Sequence, residues 1–157
     1  MLVPVEVTSF GVDAESNSPV VVLGEQGGGR MLPVPIGQHE AGAIALQTMD
    51  VQSDKPRCVD LFDEMVRQLG GQVQKVVVVG GADGKPAARL FVVKEGQVHV
   101  MECRPSEAIA LSMRSRAPIF ADERVFEGED TGKSSSESLR QSIRALDVVR
   151  FGAYYLE

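Results

Sequence analysis

The chain has 157 residues and a formal net charge of −6, with 43% hydrophobic and 24% charged residues. That length suffices for one domain with a proper core, and no apolar run approaches the ~20 residues that span a bilayer, so no membrane helix is expected. A broad grip on nucleic acid needs a basic surface, and an acidic chain can supply at most a local patch, for which Arg104, Arg114 and Arg116 are the densest candidates.

The first third reads as strands: "LVPVEVTSFGV" (2–12), "PVVVLGE" (19–25) and "RMLPVPIG" (30–37), with Gly27-Gly28-Gly29 as a hairpin loop between the last two. Pro33 and Pro35 cannot donate to a ladder, which places the third strand at an edge. From Gly37 the period changes, and Ala41, Ile44, Ala45 and Met49 fall on one helix face. After a polar loop with Pro56, the spacing of Leu61, Met65 and Leu69 marks a second amphipathic helix, closed by Gly70 and Gly71. A meander follows over 73–80, 88–94 and 97–103, joined by Asp83-Gly84 and Glu95-Gly96 turns. A third helix is expected over Pro105–Arg116, with Pro118 stopping it. Past Ala121 the acidic, serine-rich "ADERVFEGEDTGKSSSE" reads as an exposed linker. Leu139, Ile143 and Leu146 then suggest a short helix, and Tyr154 and Tyr155 an end that docks on this domain or another subunit.

The opening Met-Leu-Val-Pro-Val-Glu lacks the regions of a signal peptide. Cys58 and Cys103 form neither a CxxC motif nor a Cys/His cluster and read as reduced, buried cysteines of a cytoplasmic protein. "VVVVGGADGKPA" imitates a phosphate loop, but its spacing is one residue short and Pro86 stands where Ser or Thr is needed. His39-Glu40 begins like a zinc motif, but Ala43 replaces the second ligand.

Two junctions remain. "PVPIGQHEAGAIAL" (33–46) and "ECRPSEAIALSMRSRAPIF" (102–120) each pass from strand through a polar turn into a small apolar helix. Aligned on Glu-Ala, Glu40 matches Glu107, His39 matches Ser106, and Gly37 matches Arg104. Read plainly, these are well-made helix starts: acids in the first turn favour the helix dipole, Pro105 suits a first helical position, and Ser106 can cap amides. Read functionally, Glu40, Glu107, Arg104 and His39 share a cleft if both helix starts meet at one sheet edge, with Asp60 as a further member. Converging carboxylates can hold Mg²⁺ or Mn²⁺, and an arginine beside them can clamp a phosphate.

With "NSPVVVL", "LPVPIGQHEAGAIAL", "DLFDEMVRQLG" and "CRPSEAIALSMRSRAPIF", the chain resembles the bifunctional nuclease domain family over about residues 3 to 120, and "FGAYYLE" is similar to the end of some bacterial members. The resemblance implies a compact α+β domain with a mixed or antiparallel sheet, oligomer formation, and DNase and RNase activity. Combined with the elements above, the expectation is an α+β single domain over 1–121. It has a mixed, largely antiparallel sheet packed by about three helices, and 122–157 forms an acidic, serine-rich linker with a short C-terminal helix. Glu40, Asp60, Arg104, Ser106 and Glu107 fall on the family's polar positions. Many members carry Thr-His-Asp where this chain has Cys58-Val59-Asp60, and Glu107 stands where Asp is common.

The first functional reading is therefore a cytoplasmic nuclease acting on RNA or DNA, with no organic cofactor. Glu40, Asp60 and Glu107 would serve as Mg²⁺, Mn²⁺ or water-activating carboxylates, Arg104 as the phosphate clamp and His39 as a proton shuttle. The alternative is a non-catalytic module that binds a small anionic ligand or a protein partner through the same helix starts. A third reading uses Ala41, Gly42, Ala45, Ala108 and Ala110 as the contact surface of a homo-oligomer.

Overall fold

A computed structural model describes residues 1–14, 16–49, 57–127 and 143–145. In chain order the elements are β1 (Leu2–Asp13), β2 (Pro19–Glu25), β3 (Met31–Pro35), α1 (Gln38–Thr48), α2 (Cys58–Gln68), β4 (Gly71–Gly80), β5 (Pro86–Lys94), β6 (Gln97–Cys103), α3 (Pro105–Ser115), β7 (Ile119–Asp122), α4 (Arg124–Glu127) and β8 (Ile143–Ala145). The strands form one sheet in the order β3-β2-β1-β7-β4-β5-β6, with β8 on β1. It is a mixed sheet: β4 and β7 run parallel, and the other described pairs are antiparallel. The α+β class and the largely antiparallel sheet follow the expectation.

Local chemistry explains most of these elements. The two prolines of β3 lie on an edge strand, where a missing donor does no harm to the ladder. Glu95 and Gly96 both adopt positive φ (51° and 76°), the backbone that a two-residue hairpin between twisted strands requires. β7 has no counterpart in the sequence reading, because four residues are too few for an alternating pattern to show. It nevertheless joins the two halves of the sheet, pairing antiparallel with Leu2–Val5 of β1 and parallel with Val76–Val78 of β4.

The helices pack with α3 in the middle, touching α1, α2 and strands β4 and β5. The core gathers Val21, Leu23, Leu32, Val34, Val76, Val78, Ile44 and Ile109. Ala41 and Ala108 belong to this core, and Gly42, Ala45 and Ala110 are also buried inside the protomer. These small side chains let α1 and α3 approach each other; they do not form the surface contact between subunits that the third sequence reading assigned to them.

Four other expectations change. Leu61, Met65 and Leu69 mark α2 as helical, but they face solvent, and the inward face is Val59, Asp63 and Val66. Asp63 can be buried because Arg67, one turn on, pairs with it at 3.0 Å. Both cysteines are free, but Cys58 is exposed and Cys103 only half-buried. Packed structure also continues past Ala121: α4 follows directly on β7, with Val125 in the core. Residues 143–145 are a strand against Gly11–Asp13, where a helix was expected. The polar loop around Pro56, the serine-rich stretch from 128, Leu139, Leu146, Tyr154 and Tyr155 lie outside the described residues. Among the described residues no helix is long and apolar enough to cross a membrane.

Ala108 is 1% exposed. Ala108→Leu should force the helices apart and cost about 1–3 kcal/mol, read from urea unfolding; an unchanged midpoint would show that the packing tolerates the larger side chain.

Candidate functional site

Each of the three long helices carries an acid at the same capping position. The N-cap residues are Gly37, Arg57 and Arg104, and three residues on stand Glu40, Asp60 and Glu107. An acid there is stabilised by the helix dipole and can reach back to the N-cap amide. What separates the three is where each carboxylate goes.

Asp60 closes a capping box. Its Oδ2 accepts from the Arg57 backbone N–H at 2.9 Å and from Arg57 Nε at 3.1 Å, while Oδ1 accepts from Arg114 Nε at 2.7 Å. Burial alone would raise its pKa, but the Arg57 amide and guanidinium, with the charge of Arg114, outweigh burial and hold the carboxyl below its usual range. Two arginines on one aspartate leave the cluster net positive, and Arg57 Nη1 is buried without a hydrogen-bond partner among the described residues. Arg57 escaped the sequence reading, although its spacing of three from Asp60 is that of a capping box.

Glu107 and Glu40 go elsewhere. Glu107 accepts from Arg104 Nη2, and the same nitrogen lies 3.9 Å from Glu40 Oε1. The starts of α1 and α3 therefore lie beside each other. Gly37 contributes by its size: a Cβ there would overlap the Glu40 carboxylate, which folds back over the start of α1. The Arg104 side chain is 74% exposed, that of Glu107 45% and that of Glu40 18%. Hydrogen bonding to Glu107, then the charges of Glu107 and Glu40, raises the Arg104 pKa and keeps the guanidinium charged. His39, on the first turn of α1, is exposed, whereas Ser106, its match on α3, is buried. Beside the cluster, burial first and the Glu107 charge second push up the Cys103 thiol, so it is a poor nucleophile at neutral pH.

The three carboxylates do not form one donor set. Asp60 is bound to Arg114 near the end of α3, while Glu107 lies in its first turn, and seven residues of helix separate the two positions by about 10 Å. Among the described residues no three His, Cys, Asp or Glu side chains group to hold a metal ion. Arg104, Arg114 and Arg116 likewise make no single basic patch, since the first sits at one end of α3 and the other two at the opposite end. Two surface grooves among the described residues, of about 500 and 420 Å³, are lined by other residues, and the exposed Arg104 side chain carries its guanidinium to the surface.

Comparison with known proteins now bears on this arrangement. The bifunctional nuclease domain matches residues 21–133. The chain belongs to the bifunctional nuclease domain family. An uncharacterized protein of Mycobacterium tuberculosis is 32% identical over 149 residues, covering 94% of this chain and 89% of the relative. Bifunctional nuclease 1 of Arabidopsis thaliana is 31% identical over 107 residues, 64% of this chain and 32% of the plant protein. Bifunctional nuclease 2 of the same plant is 25% identical over 130 residues, 78% of this chain and 40% of the relative. The family match spans both helix starts.

Asp60→Asn removes the charge that two arginines share. We expect a loss of about 1–3 kcal/mol at pH 7, typical of hydrogen bonds to a charged group. Because folding lowers the Asp60 pKa, its contribution is complete above the unfolded value of about 4 and fades as pH falls through the folded one. Urea unfolding of both proteins from pH 7 down to pH 3 should show the gap closing below about pH 4; a gap that stays constant would contradict the assignment.

Proposed function

We propose that this domain engages the phosphodiester backbone of RNA or DNA at the joined starts of α1 and α3 and hydrolyses it. The observation that supports this reading is the placing of Arg104 between Glu107 and Glu40, in a chain of a nuclease family. An exposed guanidinium at a helix N-terminus offers a phosphate both hydrogen-bond donors and a favourable dipole.

In this mechanism a non-bridging phosphate oxygen competes with Glu107 for Arg104. The carboxylate so released takes a proton from water, and the hydroxide attacks phosphorus. The bond to the leaving oxygen breaks, and His39 in its protonated form supplies that oxygen with a proton. Glu40 keeps Arg104 turned toward the gap between the helices. Ser106 is buried and does not reach substrate, and Asp60 stabilises α2. A Mg²⁺ or Mn²⁺ ion fits poorly: of the three candidate carboxylates only Glu40 and Glu107 are near each other, and both lean on Arg104. No step is routed through a metal. We further propose a cytoplasmic location, which suits two free cysteines.

Binding without cleavage is the second reading. It is favoured by the exposure of the Arg104 and Glu107 side chains, since catalytic sites generally exclude water, and by Val59, whose side chain belongs to the core.

End-labelled single-stranded RNA and duplex DNA, incubated with purified protein in Mg²⁺, Mn²⁺ or EDTA, test both. Arg104→Ala and Glu107→Gln should each lower cleavage at least about 100-fold, the usual worth of a positioned acid, base or oxyanion donor. Asp60→Asn, assayed where it is folded, should stay within about threefold of the parent, and EDTA should leave the rate standing. Equal cleavage by parent, Arg104→Ala and Glu107→Gln would refute the site. Oligonucleotide binding that depends on Arg104, with no cleavage, would establish the second reading.

A further inference from the structure

The sheet has a second face, turned away from the core. Strand alternation sends Val76, Val78, Leu90 and Val92 into the core, so Lys75, Val77, Arg89 and Phe91 project from the opposite side. The register adds Phe120 of β7, level with Val77, and Val100 of β6, level with Phe91. The face is reachable, with Val100 50% exposed and the Arg89 side chain 49%. The rings of Phe91 and Phe120 are half-buried, and Lys75 Nζ lies 4.9 Å from one centroid and 5.9 Å from the other. Those two distances place the rings no more than about 11 Å apart. Phe120 also borders the groove of about 500 Å³, whose other walls include Pro4, Val7, Met113 and Pro118. We propose that this face holds single-stranded RNA or DNA. One base stacks on Phe91, another enters the groove beside Phe120, and Lys75 turns from the rings to a phosphate between them.

Three observations select that occupant. An aromatic ring offers any base a flat apolar partner, and a lysine between two rings supplies charge for the backbone that joins the bases. The surrounding strands are basic within an acidic chain: residues 71–104 hold five lysines and arginines against three acids, although the net charge of the whole is −6. Such a local excess favours a polyanion. The third observation is continuity with the Arg104 site. β6 is the edge strand, and from Val100 to Arg104 is about 13 Å of extended chain, so one strand can pass round that edge. Arg89 stands along this path, exposed and held by Glu102 at only 3.4 Å. A duplex cannot use the rings, because its bases are already stacked on one another. The passage to Arg104 rests on the proposed function and narrows its substrate to single strands; binding at the rings does not depend on cleavage.

The test is fluorescence anisotropy of the full chain with labelled oligo(U), oligo(dT) and a duplex of equal length, each about 12 nucleotides. The single strands should bind at least about tenfold more tightly than the duplex. Phe91→Leu and Phe120→Leu should each weaken single-strand binding about tenfold, the usual worth of one stacked base, while Phe91→Tyr should retain it. Lys75→Gln should lower the slope of log Kd against log salt by about 0.7, which corresponds to one phosphate contact. Ultraviolet irradiation of the wild type on oligo(U) should cross-link Phe91 and Phe120, a readout that needs no variant to fold. Binding lost in Arg104→Ala but kept in both leucine variants would overturn the proposal and leave the cleavage site standing. Binding lost in the leucine variants but kept in Arg104→Ala would support the rings and count against the site at Arg104. Equal affinity for duplex and single strand, cross-links confined to other residues, or no binding at all would overturn the proposal.

Discussion

The distance between α1 and α3 is the constraint on which the candidate site depends, and small side chains set it. Helix axes settle about 8–10 Å apart according to the residues at their contact. Alanines 41 and 108 lie in the core, Gly42 is buried, and α1 packs against α3. Their first turns are then near enough for Arg104, the N-cap residue of α3, to lie 3.9 Å from a carboxylate of α1. A leucine in place of either alanine would widen that gap before it touched any polar group. The stretch of helix that looks least functional in the sequence thus determines whether the polar residues meet.

Three acids at one capping position show how a general stabilising device becomes specialised. Asp60 fulfils the ordinary role, accepting from the amide of its own N-cap. At α3 the N-cap residue is again an arginine, as at α2, and Glu107 engages its side chain. At α1 the N-cap is glycine, which leaves room for Glu40 to fold back and face the same arginine. Glycine at the N-cap sets α1 apart, whereas α2 and α3 both carry arginine there and differ in that Arg114 also reaches Asp60.

Much of the fold can be read from residues whose physics is local. Pro33 and Pro35 identify an edge strand, Glu95-Gly96 a tight hairpin, and Pro105 the first residue of α3, and the structure has each in place. What the sequence conceals depends on distant partners. β7 has four residues and is held between β1, from the start of the chain, and β4, from its middle. Ile143 sits at helical spacing from Leu139 and Leu146, yet it pairs with β1, because a free ladder edge there outweighs local periodicity. The period of α2 reveals a helix, but periodicity cannot say which of two faces meets the core once an Arg67–Asp63 pair makes an acid tolerable there. In the candidate site, Arg104, Glu107 and Glu40 were visible as helix starts. That Arg57 and Arg114 claim Asp60 was not, since Arg114 is 54 residues away along the chain.

The proposed site rests on membership of the bifunctional nuclease domain family and on the meeting of two helix starts. The most direct test is an NMR titration of the full chain with a short single-stranded oligonucleotide, following backbone amides. The account predicts that residues 37–41 and 104–108 shift together with a single affinity, while the amides of Asp60 and Arg114 stay in place. Shifts confined to one helix start, or centred on Asp60 and Arg114, would contradict it.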